Sequence, residues 1–225
     1  MPAFRLPPQI VPIPLLGVNA YLLIEDQGLT LIDAGFAWTA SLLLRRIAAA
    51  GHDPRQVRRI LVTHTDGDHV GGIPALLQVA PQAQVLAAPL EAQALRAGRF
   101  SRPLQADPPL RWLLPLTAWP FRVPAVPQVE DLEPETTLPI LGGLQVLLTP
   151  GHTPQHLAFY LPQQGVLFAG DAVRHQGGRL VVSHGLNTWD QAQACASARR
   201  LADLNPEWVC PGHRQVLHRP QMPTC

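Results

Sequence analysis

A chain of 225 residues is long enough to bury a substantial core, and one domain spanning residues 1–225 is the expectation. Its 17 Lys and Arg nearly balance 16 Asp and Glu, with no long run of either sign, which excludes the basic footprint of a protein that binds nucleic acid or an anionic membrane. A small-molecule substrate fits that balance better than a polyanion.

Prolines at positions 2, 7 and 8 interrupt the first residues, so neither a signal-peptide core nor a spanning helix can be written there, and a cytoplasmic protein is expected. Asn19 to Glu25 and Leu29 to Asp33 read as strands joined by a turn at Asp26-Gln-Gly28. Thr39 to Ala50 carries apolar residues at helical spacing and stops at Gly51. A short buried strand, Arg59 to Thr63, precedes a helix over Val70 to Val79; strand Gln84 to Ala88 and helix Pro89 to Ala97 repeat the alternation. Between Gly98 and Pro139 nine prolines interrupt the pattern. This excursion at about 98–139 carries Phe100, Leu104, Leu110, Trp112, Leu113, Leu114, Trp119 and Phe121, which suits a lid over a cleft or an interface of a homodimer. Strands follow at Leu144 to Leu148, Leu157 to Leu161 and Gly165 to Ala169, then a helix from about Thr188 to Leu204 and a last strand, Glu207 to Cys210. Such alternation predicts an α/β protein with sheets inside and helices outside. Cys195, Cys210 and Cys225 form an odd set with no Cys-x-x-Cys pair, which argues against a disulfide framework or a thiolate zinc site.

Chemistry concentrates where the strands end. His64-Thr-Asp-Gly-Asp-His69 places four metal-capable side chains, His64, Asp66, Asp68 and His69, in six residues on a turn that opens a helix. His152, Asp171 and His213 each follow a further apolar strand. Imidazole and carboxylate suit zinc, iron or manganese, and a rigid sheet can fix several such ligands close together.

Asp33-Ala-Gly35, His64-x-Asp-x-Asp-His69, His152, Gly170-Asp171 and Pro211-Gly-His213, in that order, make the chain resemble the metallo-β-lactamase superfamily over nearly its whole length. The resemblance implies a four-layer αββα sandwich with a dinuclear metal site, most naturally zinc, at one edge of the two sheets. His64, Asp66 and His152 would hold the first metal; Asp68, His69 and His213 the second; Asp171 would bridge them, and Asp33 would organise the ligands from behind. It further implies a hydrolase in which a metal-bridging hydroxide cleaves an ester, lactone or thioester of a small molecule, with catalytic roles for Asp68 and Asp171.

Family members usually carry His where this chain has Asp66, so its cluster of two divalent ions, three carboxylates and a hydroxide is formally one unit less positive. A less acidic bound water is the expectation. His156 reads as a buried, hydrogen-bonded group behind the ligands. His184 reads as a loop residue, with substrate contact or a compensating metal ligand as its functional alternative. For His52, His175 and His218 exposure is expected. The competing functions are a phosphodiesterase, a non-haem iron oxidoreductase of persulfide-dioxygenase type, and a non-catalytic binding protein that keeps the fold.

Overall fold

The structure is a computed structural model and describes residues 5–102, 121–177, 179–185 and 188–225. The first sheet runs in the order β1 (Ile10–Pro14), β2 (Asn19–Glu25), β3 (Gly28–Ile32), β4 (Val57–Leu61), β5 (Gln84–Ala87) and β6 (Glu130–Asp131). Its first three strands are antiparallel and β3 to β6 are parallel. Parallel neighbours require a crossover. Helix α1 (Ala40–Ala49) makes the one between β3 and β4, and α2 (Gly67–Val70) with α3 (Ile73–Val79) the next, while α4 (Pro89–Arg96) follows β5.

The second sheet contains β7 (Thr137–Leu138), β8 (Leu144–Leu148), β9 (Leu157–Leu161), β10 (Val166–Gly170), β13 (Trp208–Pro211) and β14 (Leu217–His218), with β13 between β10 and β14. A separate hairpin of β11 (Val173–Gln176) and β12 (Arg179–Val182) and helix α5 (Gln191–Asp203) lie between β10 and its parallel neighbour β13.

Side-chain alternation along the strands builds three apolar layers. Leu22, Leu31, Ile60 and Val85 pack outward against Leu43 and Ile47 of α1, Ile73 and Leu76 of α3 and Leu95 of α4. Their neighbours Tyr21, Leu23, Ile32 and Leu61 turn the other way and meet Val146, Phe159, Leu161 and Phe168 between the sheets. Ala158, Leu167 and Val209 face outward again onto Ala194, Ala198 and Leu201 of α5. Helix, sheet, sheet and helix are therefore stacked as an αββα sandwich.

Several local expectations are corrected. The helix read over Val70 to Val79 is two, broken at Gly71-Gly72: a Cβ at Gly71 would fall on Ala37 N and one at Gly72 on Ala34 O, so the chain presses against the segment after β3 there. The helix read from Thr188 starts at Gln191, because Asp190 caps it by accepting from Gln193 N at 3.0 Å. Strand β1 escaped the reading through Pro12 and Pro14, which an edge strand tolerates. Within the excursion, residues 103–120 lie outside the described ones, and with them six of the eight apolar residues assigned to a lid or interface, while Val123, Val126 and Val129 belong to the first core. His52, His175 and His218 are partly buried, and His218 packs on Trp208 with ring centroids 4.4 Å apart.

Contrary to the argument from cysteine count, Cys195 and Cys225 form a disulfide with Cα atoms 5.7 Å apart, while Cys210 is free and buried between the sheets. An odd number forbids only the pairing of all three. Among the described residues no helix is long and apolar enough to cross a membrane.

Candidate metal centre

Four loops meet at one edge of the sandwich. Beyond β4 the chain continues through Val62 and Thr63 to His64, then turns so that Asp66 precedes α2 while Asp68 and His69 stand on it. The turn is tight: a Cβ at Gly67 would fall on Phe121 O. His152 comes from the loop between β8 and β9, where Gly151 has φ +136° and its backbone lies against Ala194 of α5. Asp171 follows β10 and His213 follows β13. Gly212 makes room for both clusters, since a Cβ there would fall on Asp171 Oδ1 and lie 2.7 Å from His69 Cε1.

The seven side chains named from the sequence arrive together. Ligand atoms of His64, Asp66 and His152 lie within 4.8 Å of one another, as do those of Asp68, His69 and His213, and those of His64, His69 and Asp171. His152 Nε2 is 3.2 Å from His64 Nε2 and 3.2 Å from Asp66 Oδ2. Asp171 reaches across, with Oδ1 3.6 Å from His69 Nε2 and Oδ2 at 3.2 Å from His213 Nε2 and 3.8 Å from His152 Nε2.

Each histidine turns Nε2 inward because its Nδ1 is held from behind. Asp33, itself in the left-handed region at φ +59°, accepts from Thr63 N at 2.9 Å, from Thr63 Oγ1 at 2.8 Å and from His69 Nδ1 at 2.8 Å. Since the Thr63 hydroxyl spends its proton on that carboxylate, it can only accept from His64 Nδ1, 2.9 Å away. His213 Nδ1 donates to Gly17 O at 2.7 Å, and His152 Nδ1 lies 3.1 Å from Ser183 Oγ. For His64, His69 and His213 this leaves Nε2, the nitrogen a metal ion would take, facing the cluster. His156 has the opposite polarity: its Nε2 accepts from Asp171 N at 3.0 Å and Nδ1 faces Thr149 Oγ1 at 2.8 Å, so it positions Asp171 and offers the centre no donor atom.

Burial of this much ionisable chemistry strains the electrostatics. Burial pulls the His69 imidazole down, yet the carboxylates of Asp33, Asp68 and Asp171 outweigh it and lift its pKa to about 10. For Asp171 burial acts upward, and His213, His69 and His152 hold it well below the usual carboxylate range. Burial, then His64 and His152, push His156 down, which keeps it neutral as its acceptor role requires. Among the described residues His69 Nε2 and Asp171 Oδ1 are buried with no hydrogen-bond partner. Facing imidazole nitrogens, adjacent carboxylates and orphaned inward atoms fit divalent cations.

The sequence profile described as "Metallo-beta-lactamase superfamily" matches residues 13–213. The chain belongs to that superfamily. It is 32% identical over 214 residues to an uncharacterized Bacillus subtilis protein, YobT, covering 92% of this chain and 87% of that one. It is 33% identical over 161 residues to a hydroxyacylglutathione hydrolase of Rhodobacter capsulatus, covering 70% of this chain but 48% of the relative, so it spans about half that enzyme's length. A metallo-beta-lactamase family protein of Thermus thermophilus superposes with a TM-score of 0.68 at 29% identity, over 93% of this chain and 74% of that one. The superfamily and the names of its relatives point to a metallo-hydrolase, and its fold implies divalent metal binding.

Several residues of this superfamily member escaped the sequence reading. Glu91 of α4 is fully buried; its Oε2 accepts from Thr65 N at 3.0 Å and Thr65 Oγ1 at 2.8 Å and its Oε1 from Thr153 Oγ1 at 2.6 Å, tying the His64 and His152 loops together. Arg102, 7% exposed, grips Asp66 through two bonds, Nη1 to Oδ1 at 2.5 Å and Nη2 to Oδ2 at 2.8 Å. Burial alone would raise the Asp66 carboxyl, but Arg102, His152 and His64 hold it well below its ordinary range. His184 is exposed, lines a surface recess with Gln191 and Cys195, and stands in none of the metal-capable groups among the described residues. Asn19 and Tyr21 support the His213 loop, Nδ2 of Asn19 donating to Pro211 O and Arg214 O and the Tyr21 hydroxyl to Pro211 O.

Proposed function

We propose that the chain is a dinuclear metal-dependent hydrolase that cleaves an ester, lactone or thioester of a small molecule. The observation that carries this reading is the set of histidines whose Nδ1 atoms are held from behind while their Nε2 atoms converge with three carboxylates. His64, Asp66 and His152 would hold one ion and Asp68, His69 and His213 the other, with Asp171 between them; zinc suits this donor set, as do iron and manganese. Bound there, the ions would polarise the scissile carbonyl and lower the pKa of a water at the site.

The protein's own groups fix and serve that chemistry. Asp33 holds the Thr63 and His69 side chains, and Glu91 keeps the two loops in register. Asp68 is partly exposed and lies 3.5 Å from His213 Nε2; its carboxylate would take a proton during attack and return it to the leaving group. The near-neutral charge suits a small substrate over a nucleic acid or a membrane. The relative named hydroxyacylglutathione hydrolase acts, by its name, on an acyl conjugate, which supports acyl cleavage here.

The reading is tested by assaying chromogenic esters, lactones, thioesters and phosphodiesters with metal-replete and chelator-treated protein. Turnover of an acyl substrate that chelator abolishes and zinc restores is expected. Turnover confined to phosphodiesters, stoichiometric iron with oxygen consumption, or no chelator-sensitive turnover would overturn it.

A further inference from the structure

Asp66 is unusual in this centre because it is shared. Its Oδ2 faces inward, 3.2 Å from His152 Nε2 and 3.7 Å from His64 Nε2, whereas Oδ1 is turned away and taken by Arg102 Nη1 at 2.5 Å. A second bond, Nη2 to Oδ2 at 2.8 Å, completes a planar fork. The guanidinium is itself placed by the ligand loop: Ser101 N donates to Thr65 Oγ1 at 3.2 Å, and that hydroxyl donates to Glu91. With a side chain only 4% exposed, Arg102 is built into the site and is not a surface cation that happens to lie near it.

We propose that Arg102 is a positioning residue that turns Asp66 into the equivalent of an imidazole: a ligand with one inward donor atom and no net charge. A free carboxylate can present two oxygens and brings a full negative charge. The fork leaves one oxygen facing the cluster and cancels that charge, so the pair occupies the position of a histidine in both respects. The count of charge made from the motif alone, which leaves the cluster one unit less positive, omits this cation, and Arg102 restores the unit.

The proposal rests on the metal-centre reading above and not on the identity of the substrate. Its sign separates it from a merely structural role. A cation held beside a divalent ion repels it, so Arg102→Gln should bind zinc about tenfold more tightly, although a residue that only braced the loop would bind it more weakly when lost. Asp66→His alone leaves the guanidinium beside the site without its partner and should weaken zinc binding by about tenfold or more. Combining the two, Asp66→His with Arg102→Gln, removes both charges and should return the affinity to within about fivefold of the original.

Zinc affinity of the purified full chain, measured by competition with a chromophoric chelator, is the readout. Opposite shifts in the single variants and recovery in the double variant are the expected result. If Arg102→Gln fails to fold, the comparison of Asp66→His with the double variant still decides, since adding Arg102→Gln must then recover at least about tenfold. Weaker zinc binding in folded Arg102→Gln, or no recovery in the double variant, would overturn the pairing. Original protein that takes up no zinc would overturn the metal centre itself, a distinct outcome.

Discussion

A histidine is a dependable metal ligand when its outer nitrogen is committed elsewhere, because the inner one then carries a lone pair in a fixed direction. Thr63, Asp33 and the Gly17 carbonyl perform that service for His64, His69 and His213. Without a cation, His69 keeps a second proton: its folded pKa of about 10 lies above the ordinary 6.5. The sign follows. The stabilisation from this proton is complete below the unfolded pKa of about 6.5 and disappears as pH rises through about 10. Zinc uptake at pH 8 must therefore displace it, and titration calorimetry in buffers of different ionisation enthalpy should register about one proton released through His69. A His69→Gln variant that still binds zinc and releases as many protons would contradict the assignment. The seven metal-capable residues were legible because six-residue density after a strand and a ligand at each later strand end are patterns of sequence. Glu91 was not, since Pro89-Leu-Glu-Ala reads as the start of an amphipathic helix with a solvated acid. Arg102 was equally hidden, because its partner lies 36 positions away and nothing local marks the pairing.

At the level of elements, the apolar runs identified β2 to β5, β8 to β10 and the helices between them, because burial on both faces leaves a continuous signal. What the pattern missed was set by tertiary contact: the break between α2 and α3, the edge strand β1 with its prolines, and the β11–β12 hairpin, whose Arg174, His175 and Arg179 dilute its apolar residues. The disulfide belongs to this scale, since it ties Cys195 of α5 to Cys225 across 30 positions. Closing a loop of that size is worth about 3.6 kcal/mol in the chain-entropy account. Cys225→Ser should accordingly lower the melting temperature by roughly 7–14 °C for a domain of this length. Its zinc content should not change, because the bond sits on the outer side of the second sheet, with Cys195 packed at the edge of the α5 core. Thermal melts with and without reductant check this: the original protein should lose the same increment in reductant, and the variant nothing. An equal melting temperature for the two oxidised proteins would show that the bond adds no stability.

Across the whole molecule, the candidate centre joins the two sheets. His64 follows the first, while His152, Asp171 and His213 come from the second. Zinc should therefore stabilise the sandwich as a unit and not one loop. At zinc one hundredfold above its dissociation constant the gain is about 2.7 kcal/mol, a rise of roughly 5–10 °C in a single transition. Two separate melting transitions, only one of them sensitive to zinc, would contradict this. The hairpin of β1 and β2 has a further part in this assembly. Asn19 N donates to Gly212 O at 2.7 Å, Tyr21 to Pro211 O at 2.6 Å and His213 to Gly17 O at 2.7 Å, contacts spanning about 190 positions of the chain. A nascent polypeptide emerging from the ribosome would have this hairpin waiting through about 190 residues of synthesis for the segment that completes it. Metal loading of the candidate centre would thus wait until His213 has been made, and a ribosome stalled before Pro211 would hold a chain unable to complete that centre.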